Sequence, residues 1–444
     1  MTLNRIIAVA AVTFAPLAPL APLATAQDTL SVERLQEAAL TSDPRAQQRT
    51  LLRHATDLRQ AVIRAERLPQ FEFNGQATHQ SDVTRPTFNV PNFAVPEFPK
   101  DRWQTTLDVE QRIYDGGEIA RRRELEEARH AESQAALDVS LYALRSEVNS
   151  AFFSAFLLAQ RSAEYEVLVT DLDARLAAVR ARVEAGTALT RDAAEIEAER
   201  MRASLQRDEA SASRRASLAI LADLVGHPID TSAVLVLPTA EPERTLPANL
   251  DTVAALRRRP EFEQFLRSRS RLDREIAYAS AENRPRLSAF GQAGVGLPGL
   301  DQFRTSSDAF WQAGVKVEWR PWTWRSAGRT AEAYRLEQDV VATEEKALGR
   351  SVARAVATNL EDIGRLKAAL ADDERIVALR TEVERQARAQ YDEGVITTPD
   401  YVETRTDVLE ARLTLDRHRV ELAQARLSYL TSLGITSPTA SKQP

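Results

Sequence analysis

The longest stretch of helical periodicity lies between residues 118 and 184, which neither proline nor glycine interrupts. Apolar residues recur there at alternating steps of four and three, the spacing of a heptad seam. The seam positions are Leu137, Leu141, Leu144, Val148, Ala151, Ala155, Leu158, Ser162, Tyr165, Val169, Leu172, Leu176, Val179 and Val183, and Ser162 is the one plainly polar member. A heptad repeat kept for this length predicts a left-handed supercoil against neighbouring helices. At 1.5 Å per residue the helix is roughly 100 Å long.

A turn and a second helix follow the long helix. Gly186 suits the left-handed residue that ends many helices, and Thr190 suits an N-cap. The pattern therefore predicts a helical hairpin whose return helix covers about 190–225, before the breakers Gly226 and Pro228.

The two halves of the chain repeat one another. At a shift of 216 positions, Asp43-Pro44 corresponds to Arg259-Pro260, and Leu68-Pro69-Gln70-Phe71 corresponds to Arg284-Pro285-Arg286-Leu287. At a shift of 208 the matched pairs are Trp103 and Trp311, Glu110 and Glu318, Gly186 and Gly394, Asp192 and Asp400, Glu195 and Glu403, and Gly226 and Gly434. The sequence thus predicts two copies of one unit, residues 27–246 and 247–444, the second with a long helix over about 326–390 and a return helix over about 399–433.

Each copy also contains segments in which apolar and polar residues alternate, as in a strand with two different faces. The predicted strands cover about 70–80 and 102–114 in the first copy and about 286–296 and 309–319 in the second. Each copy thus contributes a strand hairpin between helices. The polar sides carry Asp108, Glu110, Arg112, Lys316 and Glu318, whereas the opposite sides carry residues such as Val109 and Val317.

The environment of the apolar sides decides the class of protein. Strands of about 10 residues cross a bilayer when tilted, and the five tryptophans (Trp103, Trp311, Trp319, Trp322 and Trp324) lie in these strands or just after one, as in an interfacial aromatic belt. The alternative is a soluble antiparallel sheet with one face on a core. We favour membrane-spanning strands, with Trp103, Trp311 and Trp319 at the membrane interface, because the helices are already committed to their own seam. Four strands cannot close a barrel, and lipid does not tolerate open edges, so several chains must assemble.

The N-terminal segment, residues 1–26, has the form of an export signal. It contains Arg5, an apolar run and the cleavage-type sequence Ala24-Thr25-Ala26. The alternative, a retained membrane helix, is disfavoured by three prolines in the segment. We therefore expect an exported protein.

Composition excludes several other classes. The net charge is −6, so no basic field is available to bind nucleic acid. The chain has no cysteine, which excludes disulfides, thiolate metal sites and a lipid-acceptor cysteine after the signal. The five histidines show no ligand spacing, and the glycine-rich stretch 291–296 lacks the context of a phosphate loop. We predict no catalytic residue, metal site or cofactor.

In this arrangement the chain resembles the TolC family of bacterial outer-membrane efflux and secretion channels. The resemblance rests on the duplicated order of helices and strands and on four motifs: Leu68-Pro69, Tyr114-Asp115-Gly116-Gly117, the stretch from Gly186 to Asp192, and the stretch from Tyr391 to Asp400. The second strand exit, Pro321-Trp322-Thr323-Trp324-Arg325, departs from the family because it lacks Asp-Gly-Gly.

The resemblance implies a mainly α fold and a homotrimer. Four strands per chain would form one β-barrel of twelve strands in the outer membrane, continued by a long periplasmic α-helical coiled-coil barrel. It also implies four kinds of partner: further copies of the chain, outer-membrane lipid, a periplasmic adaptor (membrane fusion) protein, and an inner-membrane pump or ABC transporter.

Acidic residues gather at the predicted helical tips, beside the turns marked by Gly186 and Gly394. The resemblance implies that Asp400 and Glu403 line the constriction at the periplasmic entrance and that Tyr391 helps to hold it closed; Asp192 is the matching acid of the first copy. A ring of carboxylates in a narrow mouth favours cations. An acid in the first turn of a helix also stabilises the helix dipole, so a capping role stays open for Asp192 and Asp400. Tyr391 also fits a simple packing residue.

The function predicted from these observations is a passive exit duct of a tripartite efflux or type I secretion system. The five polar strand residues would then face the lumen and set its conductance. Two alternatives remain at this point: a periplasmic coiled-coil adaptor, which predicts a single helical hairpin flanked by small β domains, and a structural spacer in the periplasm, for which the tryptophan clustering would be accidental.

Overall fold

The computed structural model describes residues 29–83, 99–245, 257–301, 304 and 306–435. The predicted export signal, residues 1–26, lies outside the described residues. In chain order the described elements are β1 (Thr29–Ser31), α1 (Val32–Ser42), a 3₁₀ turn (Pro44–Gln47), α2 (Gln48–Ala65), β2 (Gln70–His79), β3 (Asp101–Tyr114), α3 (Glu118–Glu184), α4 (Thr190–Val225), β4 (Val234–Val236), α5 (Pro242–Thr245), α6 (Pro260–Ala279), β5 (Arg286–Leu297), β6 (Asp308–Glu318), α7 (Ser326–Asp392) and α8 (Thr398–Ser432).

The two long helices dominate the molecule. α3 and α7 each contain 67 residues, which corresponds to roughly 100 Å. α3 and α4 have the bounds that the periodicity predicts, whereas α7 continues two residues beyond position 390 and α8 begins one residue before position 399. All the seam residues of α3 are buried except Leu158, Ser162, Tyr165 and Val183, which are half-buried. The seam packs α3 against α4 along the hairpin and against α8.

The four long strands form one antiparallel sheet in the order β2-β3-β5-β6. β2 pairs with β3 and β5 with β6, as the two hairpins require, and β3 pairs with β5, which joins the two halves of the chain. The first hairpin pairs Gln70 with Glu110, and the second pairs Arg286 with Glu318. These residues correspond at the shifts of 216 and 208, so the two hairpins have the same register.

The segment from Ile229 to Leu250 contains prolines and no helical period, which predicts an irregular connection. This prediction is wrong for part of the segment. Val234–Val236 forms β4, which pairs in parallel with β1. Three residues are too few to establish a period, so the pattern gives no strand there. The pair lies beside α1, whose Leu35 packs with Phe152, near the middle of α3, and with Leu221, near the end of α4, in one buried cluster.

Candidate functional site

The apolar face of the four-stranded sheet is uncovered. Phe73, Trp311 and Val317 are 73%, 76% and 68% exposed, and Leu107 is 52% exposed. Among the described residues, the helices pack on one another and none lies across this sheet. No described helix is both long and apolar enough to span a bilayer. The sheet therefore presents an apolar surface that the chain itself does not bury.

The opposite face carries a polar belt across all four strands, centred on Asp108 of β3. Its carboxylate accepts hydrogen bonds from Asn74 Nδ2 (2.9 Å), Thr106 Oγ1 (2.8 Å) and Gln292 Nε2 (2.5 Å). Gln312 Nε2 on β6 donates to Gln292 Oε1 at 2.6 Å. The belt keeps a carboxylate fixed on the polar side of the sheet.

The other predicted lumen residues lie on the same face, towards its helical end. Lys316 Nζ is 2.6 Å from Glu318 Oε1, and Glu110 is exposed. Arg112 extends below the strands, where its Nη1 lies 3.6 Å from Glu66 Oε2 at the end of α2. The structure thus brings all five charged residues to one face, with Arg112 at its helical edge.

The tryptophans expected at the membrane interface lie at both ends of the apolar face. Trp103 and Trp311, which are 40% and 76% exposed, lie near the loop end of β3 and β6. Trp319, 60% exposed, follows the last residue of β6 at the helical end, and its Nε1 donates to the Asn283 carbonyl at 3.2 Å. Two aromatic levels therefore bracket the apolar surface.

Two tight turns close the helical hairpins at the far end of the molecule. Gly186 has φ = 73° and Gly394 has φ = 76°, in the left-handed region. The next amide in each turn donates to the carbonyl five residues earlier: Thr187 to Arg182 and Val395 to Gln390, both at 2.8 Å. A Cβ at either glycine would meet nothing within 4 Å, so glycine is needed for its backbone conformation and not for space.

The acids at these turns act as helix caps. Asp192 Oδ2 accepts from the Leu189 amide at 3.2 Å, and Asp400 Oδ2 accepts from the Thr397 amide at 3.0 Å and from Thr397 Oγ1 at 2.6 Å. The hydrogen bonds from Thr397 lower the pKa of Asp400 below its ordinary value, so this exposed carboxylate stays ionised. Capping thus leaves the Asp400 carboxylate charged at the tip, where a gate would need it.

Tyr391 belongs to a buried cluster that joins the two helical hairpins. Its ring stacks on Tyr401 with centroids 5.0 Å apart, and its hydroxyl lies 3.3 Å from Thr398 Oγ1. Tyr401 is fully buried and donates to Asp171 Oδ2 of α3 at 3.3 Å. The guanidinium of Arg175 lies 4.8 Å from the centre of the Tyr401 ring.

Two ion pairs complete this cluster, which we call the tip cluster (Asp171, Arg175, Tyr391, Asp392, Tyr401 and Arg405). Arg175 Nη1 is 2.8 Å from Asp392 Oδ1, and Arg405 Nε is 3.1 Å from Asp171 Oδ2. Of these six residues, the sequence predicts a role for Tyr391 alone. The other members are ordinary charged or aromatic residues of amphipathic helices, and no spacing marks a contact between two separate hairpins.

Glu403 lies on a groove between the return helices α4 and α8. Glu195, its counterpart in the first half, lines the same groove of about 820 Å³. Arg191 and Arg202 line it as well. The acids of the two return helices therefore share one surface, and their charge is partly balanced by arginine.

No family model and no curated protein matches the chain. Solved structures do match it over nearly its whole length. CusC, described in terms of transmembrane channel formation, has a TM-score of 0.69 at 17% identity, over 91% of this chain and 92% of its own. The outer-membrane channel CmeC of Campylobacter jejuni has a TM-score of 0.68 at 14% identity, over 93% and 88%. The open state of the outer-membrane channel MtrE of Neisseria gonorrhoeae has a TM-score of 0.66 at 18% identity, over 91% and 89%. The chain therefore has the fold of the TolC-family outer-membrane channels.

Proposed function

We propose that the chain forms the outer-membrane exit duct of a tripartite efflux or type I secretion system, as a homotrimer that spans the outer membrane and extends into the periplasm. The observation that carries this proposal is the four-stranded sheet, whose apolar face is exposed and whose other face holds the polar belt. Such a sheet suits a wall between lipid and a water-filled lumen. Its two edge strands require further copies to pair with.

The helices supply the periplasmic part of the duct. Helices of roughly 100 Å are far longer than a compact domain needs, and their hairpin tips carry fixed carboxylates. At a threefold axis, Asp400 would be present three times, as would Asp192 and Glu403, and a narrow ring of carboxylates attracts cations and repels anions. The tip cluster would hold the two hairpins of each chain together and thereby keep the entrance narrow.

Partners follow from this role. The chain is a conduit in the proposal, so the energy for transport would come from an inner-membrane pump or ABC transporter, connected through a periplasmic adaptor. Selectivity for cargo would reside largely in that pump.

The proposal is tested by expressing the chain in a Gram-negative host and separating the membranes. We expect a protein of the outer-membrane fraction that migrates as a trimer in mild detergent, migrates as a monomer after heating, and conducts ions in planar bilayers. A soluble periplasmic monomer without conductance would contradict the proposal and favour the adaptor or spacer.

A further inference from the structure

The strand exits of the two halves adopt the same backbone conformation with different residues. After β3, Gly116 and Gly117 have φ of 65° and 86°; at the corresponding places after β6, Trp324 and Arg325 have φ of 51° and 61°. The hydrogen bonds also correspond: the Glu118 amide donates to the Asp115 carbonyl at 3.2 Å, and the amide of residue 326 donates to the carbonyl of residue 323 at 2.9 Å. A bulky residue is thus held in a left-handed conformation that favours glycine, which is typical of a site with a specific role.

The first strand exit shows what this position contacts. A Cβ on Gly116 would lie 2.6 Å from Arg284 Cβ and 3.3 Å from the Pro285 carbonyl oxygen. Arg284 Nη1 also donates to the Gly116 carbonyl at 3.0 Å. The exit of the first half is therefore packed against the junction between α6 and β5 of the second half.

The second strand exit has no such neighbour among the residues that the structure describes. Trp324 and Trp322 are 80% and 77% exposed, and their rings contact each other at 6.2 Å. The counterpart of Arg284-Pro285 is Leu68-Pro69, and Leu68 is 61% exposed. The strand exit of the first half thus contacts the helix-to-strand junction of the second half, whereas the counterparts of these two surfaces, Trp324 and Leu68, are both exposed.

The strands show the same incompleteness. The last residues of β3 pair with β5 alone: Gln111 with Ala289, Arg112 with Ser288, and Tyr114 with Leu287. β6 is the edge strand of the described sheet and has no strand on that side. It ends at Glu318, four residues before the place that corresponds to Tyr114. Residues 319–322 therefore lack the partner that extends β3.

We propose, on the basis of the proposed trimeric duct, that residues 319–325 pair with β2 of a neighbouring copy in the register that β3 has with β5. This register places Arg320 opposite Glu72 of that copy, an opposite-charge pair, and Trp322 opposite Phe71. Trp324 then lies against Leu68-Pro69 of that copy. Gly116 allows the first strand exit to approach Arg284-Pro285 closely, but a tryptophan side chain does not allow the same distance. The junction between copies is therefore wider, and the indole of Trp324 fills it.

The helices next to this junction also have an open side that a neighbouring copy of the chain would cover. Among the described elements, α3 packs against both α2 and α6, whereas α7 packs against α6 and has no counterpart of α2 beside it. Arg129 of α3 pairs with Glu275 of α6 at 2.7 Å. The corresponding residues are Glu337 of α7 and Arg59 of α2, which have opposite charges in the reversed order; both are exposed, and Arg59 also pairs with Glu126 of α3 at 2.9 Å. α2 of a neighbouring copy therefore fits the open side of α7.

Disulfide trapping tests the register, because the chain contains no cysteine. In outer membranes, Arg320→Cys combined with Glu72→Cys should give covalently linked dimers and trimers on oxidation. Arg320→Cys with Phe73→Cys is the matched control, since neighbouring residues of a strand point to opposite faces. Arg320→Cys with Asn74→Cys tests a register slipped by two residues. Trapping of the Asn74 pair without the Glu72 pair would overturn the proposed register.

Trp324→Gly tests the wedge without endangering the fold, because Gly116 already occupies the corresponding conformation. In detergent, we expect the Trp324→Gly trimer to dissociate at a protein concentration roughly tenfold higher than the wild-type trimer does, an effect of the size expected when an interfacial tryptophan is truncated. Trp324→Phe should restore the stability of the trimer. A lower yield of inserted protein with an unchanged trimer would make Trp324 a lipid anchor instead and overturn the wedge.

Wild-type protein that shows no oligomer by native mass spectrometry would contradict the proposed function itself. A stable wild-type trimer without the Glu72–Arg320 link would contradict the pairing of residues 319–325 with β2 alone.

Discussion

Arg175 of α3 lies over the ring of Tyr401 of α8, with its guanidinium carbon 4.8 Å from the ring centre, and also pairs with Asp392 at 2.8 Å. One side chain of the first hairpin thus contacts both helices of the second. Its side chain is 11% exposed and Tyr401 is fully buried, so the cation–π contact is shielded from water and salt, whereas Asp392 is half exposed. Together with the contacts of Tyr401 and Arg405 to Asp171, the contacts of Arg175 link the two hairpins at the proposed entrance.

Arg175→Ala is therefore expected to loosen the entrance. The loss of a cation–π contact and of an ion pair should weaken the contact between hairpins by about 1–2 kcal/mol, which should raise the open-channel conductance in planar bilayers. Arg200→Ala is the matched control, because Arg200 pairs with Asp173 at 2.8 Å within the first hairpin. Equal conductance changes in the two variants would contradict a latch between hairpins.

Asp400→Asn separates charge from capping. Asp400 is the N3 residue of a capping box whose N-cap is Thr397. An asparagine side-chain oxygen can accept the same hydrogen bond from the Thr397 amide, so the variant should keep the start of α8 intact while losing the carboxylate ring. We expect weaker cation selectivity and weaker block by a multivalent cation added from the periplasmic side. Asp400→Ala should in addition increase hydrogen exchange in the first turn of α8. Unchanged selectivity in Asp400→Asn would leave Asp400 with capping alone.

Two glycines with similar φ angles should respond differently to alanine. Gly186→Ala meets open space, so its cost is that of a left-handed alanine, about 1–2 kcal/mol. Gly116→Ala bears a similar backbone cost and also places a Cβ 2.6 Å from Arg284 Cβ. Thermal denaturation should therefore show the larger loss for Gly116→Ala. The reverse order would contradict the close junction between the two halves.

The pH dependence of the tip cluster follows from Tyr401. Burial, and the nearby negative charge of Asp171, raise the pKa of Tyr401 to about 12, against 10.0 for an ordinary tyrosine. The folded tip favours the neutral phenol, so this stabilisation is complete below pH 10 and is lost as the pH rises from about 10 towards 12. The difference in tyrosinate absorbance between wild type and Tyr401→Phe should have a midpoint near 12. A midpoint near 10 would show that Tyr401 is not buried in the cluster.

The fold follows from the sequence where one period persists. The unbroken seam from Leu137 to Val183 fixes α3, and the alternation around Val109 and Val317 gives strands with two unlike faces. β4 was missed because Val234–Val236 is too short to show a period. The pairing of β3 with β5 joins residues that are far apart in the sequence, such as Leu107 and Ala293. No local pattern relates such residues.

The candidate site was less predictable because its contacts also join residues that are distant in the sequence. Gly394 and Asp400 carry local signals, a left-handed turn and an N-cap box, and the sequence shows both. Asp171 and Arg405 meet across two hairpins, and each alone looks like a solvated charge on a helix. The repeat aligns Trp324-Arg325 with Gly116-Gly117, but only the backbone angles show that Trp324 and Arg325 adopt the same left-handed conformation as the two glycines.

In the proposed duct, lipid covers the apolar face of the sheet and water fills the lumen on the other side. Single cysteines along β6, at Val315, Lys316, Val317 and Glu318, test it most directly in outer membranes of intact cells. A small membrane-impermeant thiol reagent should label Lys316→Cys and Glu318→Cys, while Val315→Cys and Val317→Cys should react only with a lipid-soluble reagent. Labelling of all four positions by the impermeant reagent, or protection of all four, would contradict the claim.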